Sequence, residues 1–124
     1  MAKILLVDDD KTFLAVLFDW FEGRGFKVAT RTNGPDAIAF LEKEHIDVVI
    51  LDFMMQPMTG LELLRHIKEN PKTKDIPVFM LSQFGEGRHI EEAMKLGVED
   101  YLVKANFNLE SLTMRIKKII SKRK

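Results

Sequence analysis

The chain has 124 residues, 46% hydrophobic and 31% charged, the size and composition of one ordinary globular domain spanning 1–124. Its 19 basic and 19 acidic side chains cancel, so no net field draws nucleic acid or an anionic membrane, and the lack of cysteine excludes disulfides, thiolate metal sites and cysteine nucleophiles. No apolar stretch approaches the roughly 20 residues that span a bilayer, and the start does not read as a signal peptide, so the expectation is a cytoplasmic protein.

Short apolar runs alternate with segments of helical spacing. Ile4 to Val7 reads as a strand and ends in Asp8-Asp9-Asp10. Leu14, Leu17, Phe18 and Phe21 then form one helical stripe, closed by Gly23 and Gly25. A second strand, Lys27 to Thr30, leads to a helix entered through Gly34-Pro35 and carrying Ala37, Ile38 and Leu41. The third strand, Asp47 to Leu51, runs into Asp52. Leu61, Leu64 and Ile67 mark a third helix, ended by Asn70-Pro71. Val78 to Leu81 is a fourth strand, followed by Ser82; Ile90, Ala93 and Met94 mark a fourth helix, ended by Gly97. Tyr101 to Val103 is the last strand and meets Lys104. A fifth helix carries Leu109, Leu112, Ile116 and Ile119, with Asn108 as its cap.

Five strands alternating with five helices predict right-handed crossovers and a parallel sheet covered on both faces. The first and third runs lack polar alternation, as strands buried on both faces do. In such a sheet the functional crevice lies beyond the carboxyl ends of the strands. Four strands end there in polar residues: Asp8, Asp9 and Asp10, then Asp52, Ser82 and Lys104. Each alone has a structural explanation, a helix cap for Asp10 or a solvated loop for Lys104. Their joint placement favours a site.

Clustered carboxylates repel by roughly 4 kcal/mol per pair at 4 Å and an effective dielectric near 20. They stay ionised together when a cation joins them. Oxygen-only ligands favour a hard ion, and Mg²⁺ in particular where a phosphate completes its shell. A carboxylate such as Asp52 can attack phosphorus, with Lys104 and Mg²⁺ supplying positive charge and Ser82 a hydrogen bond.

With these residues in place the chain resembles the receiver domain of bacterial response regulators. The motifs are Ile4-Leu5-Leu6-Val7-Asp8-Asp9-Asp10, Leu51-Asp52-Phe53-Met54-Met55 through Gly60, Met80-Leu81-Ser82, and Tyr101-Leu102-Val103-Lys104. The resemblance covers essentially the whole chain and implies a flavodoxin-like sheet of order 2-1-3-4-5. It makes Asp52 the phosphoacceptor and Asp9 the direct Mg²⁺ ligand, with Asp8 acting mostly through water and Met54 lending its backbone carbonyl. It implies that Ser82 swings toward the phosphoryl group while Tyr101 turns inward, reshaping the face of the fourth helix, fifth strand and fifth helix. The implied donor is a sensor histidine kinase or histidine phosphotransfer protein. The implied output is an unidentified partner or domain, and the only catalysis is of the chain's own phosphorylation and dephosphorylation.

Three departures stand out. Gln56 follows Met55 where the family usually has proline, and Pro57 comes one residue later. Ala105 follows Lys104 where a cis proline is common, so either a costly cis bond is stored there or the loop runs differently. Thr59 stands where an aspartate often precedes the glycine.

Secondary signals keep two readings. Met54 and Phe84, two residues beyond Asp52 and Ser82, are apolar at positions that influence hydrolysis in the family, which predicts a long-lived phosphoprotein. Phe13, Val16 and Trp20 form a second apolar set on the first helix, packed on a neighbouring helix or offered to the donor. Gly85-Glu86-Gly87 reads as a loop suited to a moving switch, or as a plain loop. His45, His66 and His89 read as surface or helix-end residues, and Lys117, Lys118, Lys122, Arg123 and Lys124 complement the last helix dipole. The rivals are a phosphorylation-independent pseudo-receiver, a phosphatase, and a flavin carrier. Met54 stands where a phosphatase needs a second acid, and three aspartates stand where a flavin phosphate would bind.

Overall fold

The computed structural model describes residues 2–83 and 87–123. Ten elements alternate: β1 (Lys3–Val7), α1 (Lys11–Glu22), β2 (Lys27–Arg31), α2 (Gly34–Lys43), β3 (Val48–Asp52), α3 (Gly60–Glu69), β4 (Val78–Ser82), α4 (Gly87–Lys95), β5 (Asp100–Val103) and α5 (Leu109–Lys122). All strand pairs are parallel, in the order β2-β1-β3-β4-β5. The fold class expected from the sequence and the strand order implied by the resemblance are both observed. Among the described residues no helix is long and apolar enough to cross a membrane.

The continuous apolar runs of the strands have a direct cause. Side chains alternate across a strand, and both faces of this sheet are covered. Leu5, Val7, Val49, Leu51, Val78 and Met80 meet Ala37, Leu41, Leu63, Leu64, Ile67 and Ala93 of α2, α3 and α4. Ile4, Leu6, Val48, Ile50, Phe79 and Leu81 meet Leu14, Leu17, Phe21, Leu112 and Ile116 of α1 and α5. β3 and β4 are buried at every residue, so Asp52 and Ser82 emerge from the centre of the sheet.

Helix entry is fixed by side-chain caps, each worth about 1 kcal/mol. Asp10 accepts from the Phe13 N–H, Asn33 from Asp36, and Asn108 from Ser111. Thr59 and Glu62 form a reciprocal capping box at α3. The threonine that departs from the family pattern therefore has a local task, starting the helix that carries Gly60.

Two stripe assignments need correction, and one core residue of the third helix was missed. Phe18 and Met94 are 36% and 51% exposed, so each lies on the flank of its helix, outside the face that meets the sheet. In α3, Leu63 is fully buried, whereas Leu61 is half-buried. Strand ends extend one residue beyond the apolar run at Arg31, Asp52 and Ser82, so two of the candidate site residues belong to the strands themselves.

Candidate functional site

Asp8 and Asp52 are buried at the carboxyl ends of neighbouring strands, 3% and 5% exposed. Asp9 is exposed beside them, and all three can present carboxylate oxygens within 4.8 Å of one another. Lys104 reaches over from the end of β5. Its Nζ lies 2.8 Å from Asp8 Oδ2 and 3.4 Å from Asp52 Oδ1. The ammonium thus bridges two carboxylates in a site largely closed to water. Ser82, fully buried, ends β4, and its backbone carbonyl accepts the Lys104 backbone N–H at 2.7 Å.

A short chain of caps steadies the acidic strand end. Asp8 Oδ1 accepts the Asp10 N–H at 2.9 Å, and Asp10 Oδ1 accepts the Phe13 N–H at 3.1 Å. Asp10 is therefore the helix cap, outside the carboxylate cluster.

Burial is the main force on the acids. It pushes Asp52 up to about 6, helped by the neighbouring Asp8 charge and opposed by Lys104. It also raises Asp8, against the hydrogen bonds from Lys104 and Asp10. For Lys104 burial works against the charge, but contact with Asp8 and Asp52 outweighs it and holds the ammonium above its ordinary value. The donor set is three carboxylates with no nitrogen or sulfur ligand, which fits a hard divalent cation such as Mg²⁺.

Gly60 shows how closely the backbone is fitted here. Its N–H donates to the Phe53 carbonyl at 2.8 Å. A Cβ at Gly60 would overlap the Asp52 carbonyl oxygen and lie 2.8 Å from Phe53 Cα. Backbone offers no flexible atom to move aside. Gly60→Ala should therefore lower unfolding free energy by about 2 kcal/mol, measured by urea denaturation, through displacement of the strand end that carries Asp52. A midpoint unchanged from wild type would contradict this.

The structure also answers the question raised by Ala105. Residues after β5 form a turn in which Asn106 and Phe107 donate to the Val103 carbonyl at 3.1 and 3.0 Å. The Lys104–Ala105 peptide is trans, and the cis bond among the described residues is Gln56–Pro57. The loop runs differently, and no cis bond is stored at Lys104.

The second apolar set of α1 packs inside the molecule at two of its three residues. Trp20 donates to the Thr113 hydroxyl of α5 at 2.8 Å, and Phe13 meets Phe107 edge-on at 6.5 Å. Val16 is 56% exposed. Phe84, Gly85 and Glu86 lie outside the described residues, and Met54 has an exposed side chain.

His89 corrects the expectation of three peripheral histidines. Its ring lies 4.3 Å from that of Phe53, and its Nδ1 is buried with no hydrogen-bond partner among the described residues. His45, exposed just after the end of α2, contacts Asp47 at 3.1 Å. Only His66 is an exposed helical residue. Phe53 also meets Tyr101 edge-on at 6.3 Å, and Tyr101 is buried, 8% exposed. An aromatic run thus leads from the residue after Asp52 to β5 and α4. No spacing in the sequence signalled it. The Thr59-x-x-Glu62 box, by contrast, was there to be read.

The response regulator receiver domain model matches residues 4–117. The chain belongs to that family. Over 115 residues this receiver domain is 36% identical to the regulatory protein VanRc of Enterococcus gallinarum, covering 93% of this chain and 48% of that protein. It is 32% identical over 124 residues to the phosphate regulon transcriptional regulatory protein PhoB of Rhizobium meliloti, covering 100% of this chain and 54% of that protein. The receiver domain spans about half the length of these relatives. Among solved structures, the Francisella response regulator 1452 receiver domain superposes with a TM-score of 0.90 at 27% identity, covering 100% of both chains. The chemotaxis protein CheY4 of Vibrio cholerae gives a TM-score of 0.87 at 30% identity, covering 96% of this chain and 98% of that one.

Proposed function

We propose that this two-component receiver domain accepts a phosphoryl group on Asp52 from a phosphohistidine of a sensor kinase or phosphotransfer protein. The observation that carries this reading is the buried Asp52 carboxylate with the Lys104 ammonium at 3.4 Å and Asp8 and Asp9 alongside. An Asp52 oxygen forms a bond to phosphorus as the phosphorus–nitrogen bond to the donor imidazole breaks. The electron pair leaves with the imidazole, and the acyl phosphate remains on Asp52.

Asp8, Asp9, Asp52 and the Met54 carbonyl would hold Mg²⁺. When bound it neutralises the acids and supplies positive charge to the phosphoryl oxygens. Lys104, already placed between Asp8 and Asp52, offers its N–H groups to the same oxygens, and the Ser82 hydroxyl adds a further donor. The domain acts on itself and turns over no external substrate.

The signal is a change of surface. Ser82 and Tyr101 sit on the adjacent strands β4 and β5, and Phe53, which follows Asp52 in the chain, meets the Tyr101 ring edge-on. That contact supports coupling from the pocket to the α4-β5-α5 face, where a partner or output domain is controlled. Nucleic acid and membrane are not partners of this domain, in keeping with its balanced charge.

The test is intact-mass measurement after incubation with acetyl phosphate. One added phosphoryl group is expected with Mg²⁺ and none with a chelator. The adduct should persist for minutes once the donor is removed, because exposed, apolar Met54 offers no hydrogen bond to an attacking water. Decay within seconds would contradict that persistence. No adduct under any condition would favour a phosphorylation-independent interaction module instead.

A further inference from the structure

We propose that Phe13 is a positioning residue for the phosphoryl-transfer site, holding the Lys104 ammonium between Asp8 and Asp52 with the face of its ring; this rests on the reading of Asp52 as phosphoacceptor. The Lys104 Nζ lies 4.5 Å from the Phe13 ring centroid, within the range where a cation is attracted by the ring face. The same Nζ contacts Asp8 Oδ2 and Asp52 Oδ1, and the lysine side chain is only 13% exposed. Its head is thus enclosed by two carboxylates and one aromatic ring.

The ring is itself held from both sides. The Asp10 cap fixes the Phe13 backbone at the start of α1. The turn after Lys104 folds Phe107 back so that its ring meets Phe13 edge-on, 69° between the planes. Ala105 lies inside that turn, so the loop that departs from the family pattern also builds the support for the ring. A lysine has four rotatable carbons and loses considerable freedom when it is held in one place. Phe13 excludes the rotamers that would carry the ammonium away from the carboxylates.

An aromatic face suits this task for a chemical reason. A lysine ammonium has three N–H donors and no acceptor. A polar neighbour would occupy one donor in a fixed direction. The ring attracts the charge without a directed hydrogen bond, so the ammonium can exchange an Asp52 oxygen for a phosphoryl oxygen while staying in place.

The test compares Phe13→Leu and Phe13→Met, which keep apolar bulk without a ring, with Phe13→Tyr, which keeps the ring. Acetyl phosphate with Mg²⁺ is the donor, so docking of a protein partner plays no part. Phosphorylation should slow about tenfold in Phe13→Leu and Phe13→Met and stay within about twofold in Phe13→Tyr, each with a cooperative urea transition. In parallel, NMR of ¹³C-lysine-labelled protein should show the Lys104 ε-CH₂ protons shifted upfield by the ring in wild type and Phe13→Tyr. In Phe13→Leu they should move to the ordinary lysine position. Equal rates in all proteins, or equal slowing in Phe13→Tyr and Phe13→Leu, would overturn the proposal. Failure of wild type to take phosphate would overturn the phosphoacceptor reading instead, and the lysine spectrum would then decide the placement of the ammonium by itself.

Discussion

Asp52→Asn should abolish phosphoryl uptake and, without divalent ions, should make the folded protein more stable above pH 6. The first effect follows because the amide cannot form the acyl phosphate. The second follows from the buried carboxyl, held up to about 6 in the folded protein against an ordinary value near 4 when unfolded. Between those values the folded state binds the proton more tightly than the unfolded state does. Wild-type stability therefore falls as pH rises through that window, and the loss is complete above the folded value. A shift of about two units, already net of the attraction to Lys104, corresponds to about 3 kcal/mol, so a gain of about that size is expected for the amide at pH 8. Urea denaturation from pH 4 to pH 8 should show the gain shrinking to nothing toward pH 4. Adding Mg²⁺ at pH 8 should also shrink it by stabilising the wild-type carboxylates. A gain independent of pH would contradict the carboxyl assignment.

Lys104→Ala should have the other large effect. Removal of a positive group that faces the developing phosphoryl charge is expected to slow uptake from acetyl phosphate by about 10²–10³. Stability should fall as well, by about 3 kcal/mol at pH 8, because Asp8 and Asp52 lose the cation between them. Acid should shrink that deficit, since both carboxyls are raised and protonate readily once the ammonium is gone. Lys104→Arg should recover part of the stability and little of the rate, because a planar guanidinium does not occupy the space of a compact ammonium. A rate for Lys104→Ala within threefold of wild type would remove Lys104 from the site chemistry.

The architecture was largely legible in the sequence. Apolar runs such as Val48-Val49-Ile50-Leu51 are what doubly covered strands require, and Gly97 and Asn108 marked helix boundaries that are observed. The strand order was different in kind. Alternation of elements does not distinguish 2-1-3-4-5 from other doubly wound orders, and it came from resemblance to the family. The site candidates were legible for one physical reason, that parallel strands deliver their carboxyl ends to a single edge. Asp8, Asp52 and Lys104 meet there at hydrogen-bonding or near distances.

What escaped the sequence was contact between elements distant along the chain. Phe13 and Lys104 are brought together by α1 and the turn after β5, and nothing in either segment announces the other. His89 read as a surface or helix-end residue because it shares no ligand spacing with the other histidines, yet its ring lies against Phe53. Phe18 and Met94 failed in the opposite direction, since a flank position satisfies the spacing rule without reaching the core. Thr59 and Ala105 read as departures from a family pattern. In the fold each has local work, one capping α3 and the other lying in a hydrogen-bonded turn.

Reductive trapping tests the central claim most directly. Borohydride reduces an acyl phosphate to an alcohol, so an aspartyl phosphate becomes homoserine, and peptide mass mapping then locates the modified residue. After treatment with acetyl phosphate and Mg²⁺, homoserine is expected at position 52 alone. Homoserine at position 8 or 9, or none anywhere while phosphate is carried elsewhere on the chain, would contradict Asp52 as the acceptor.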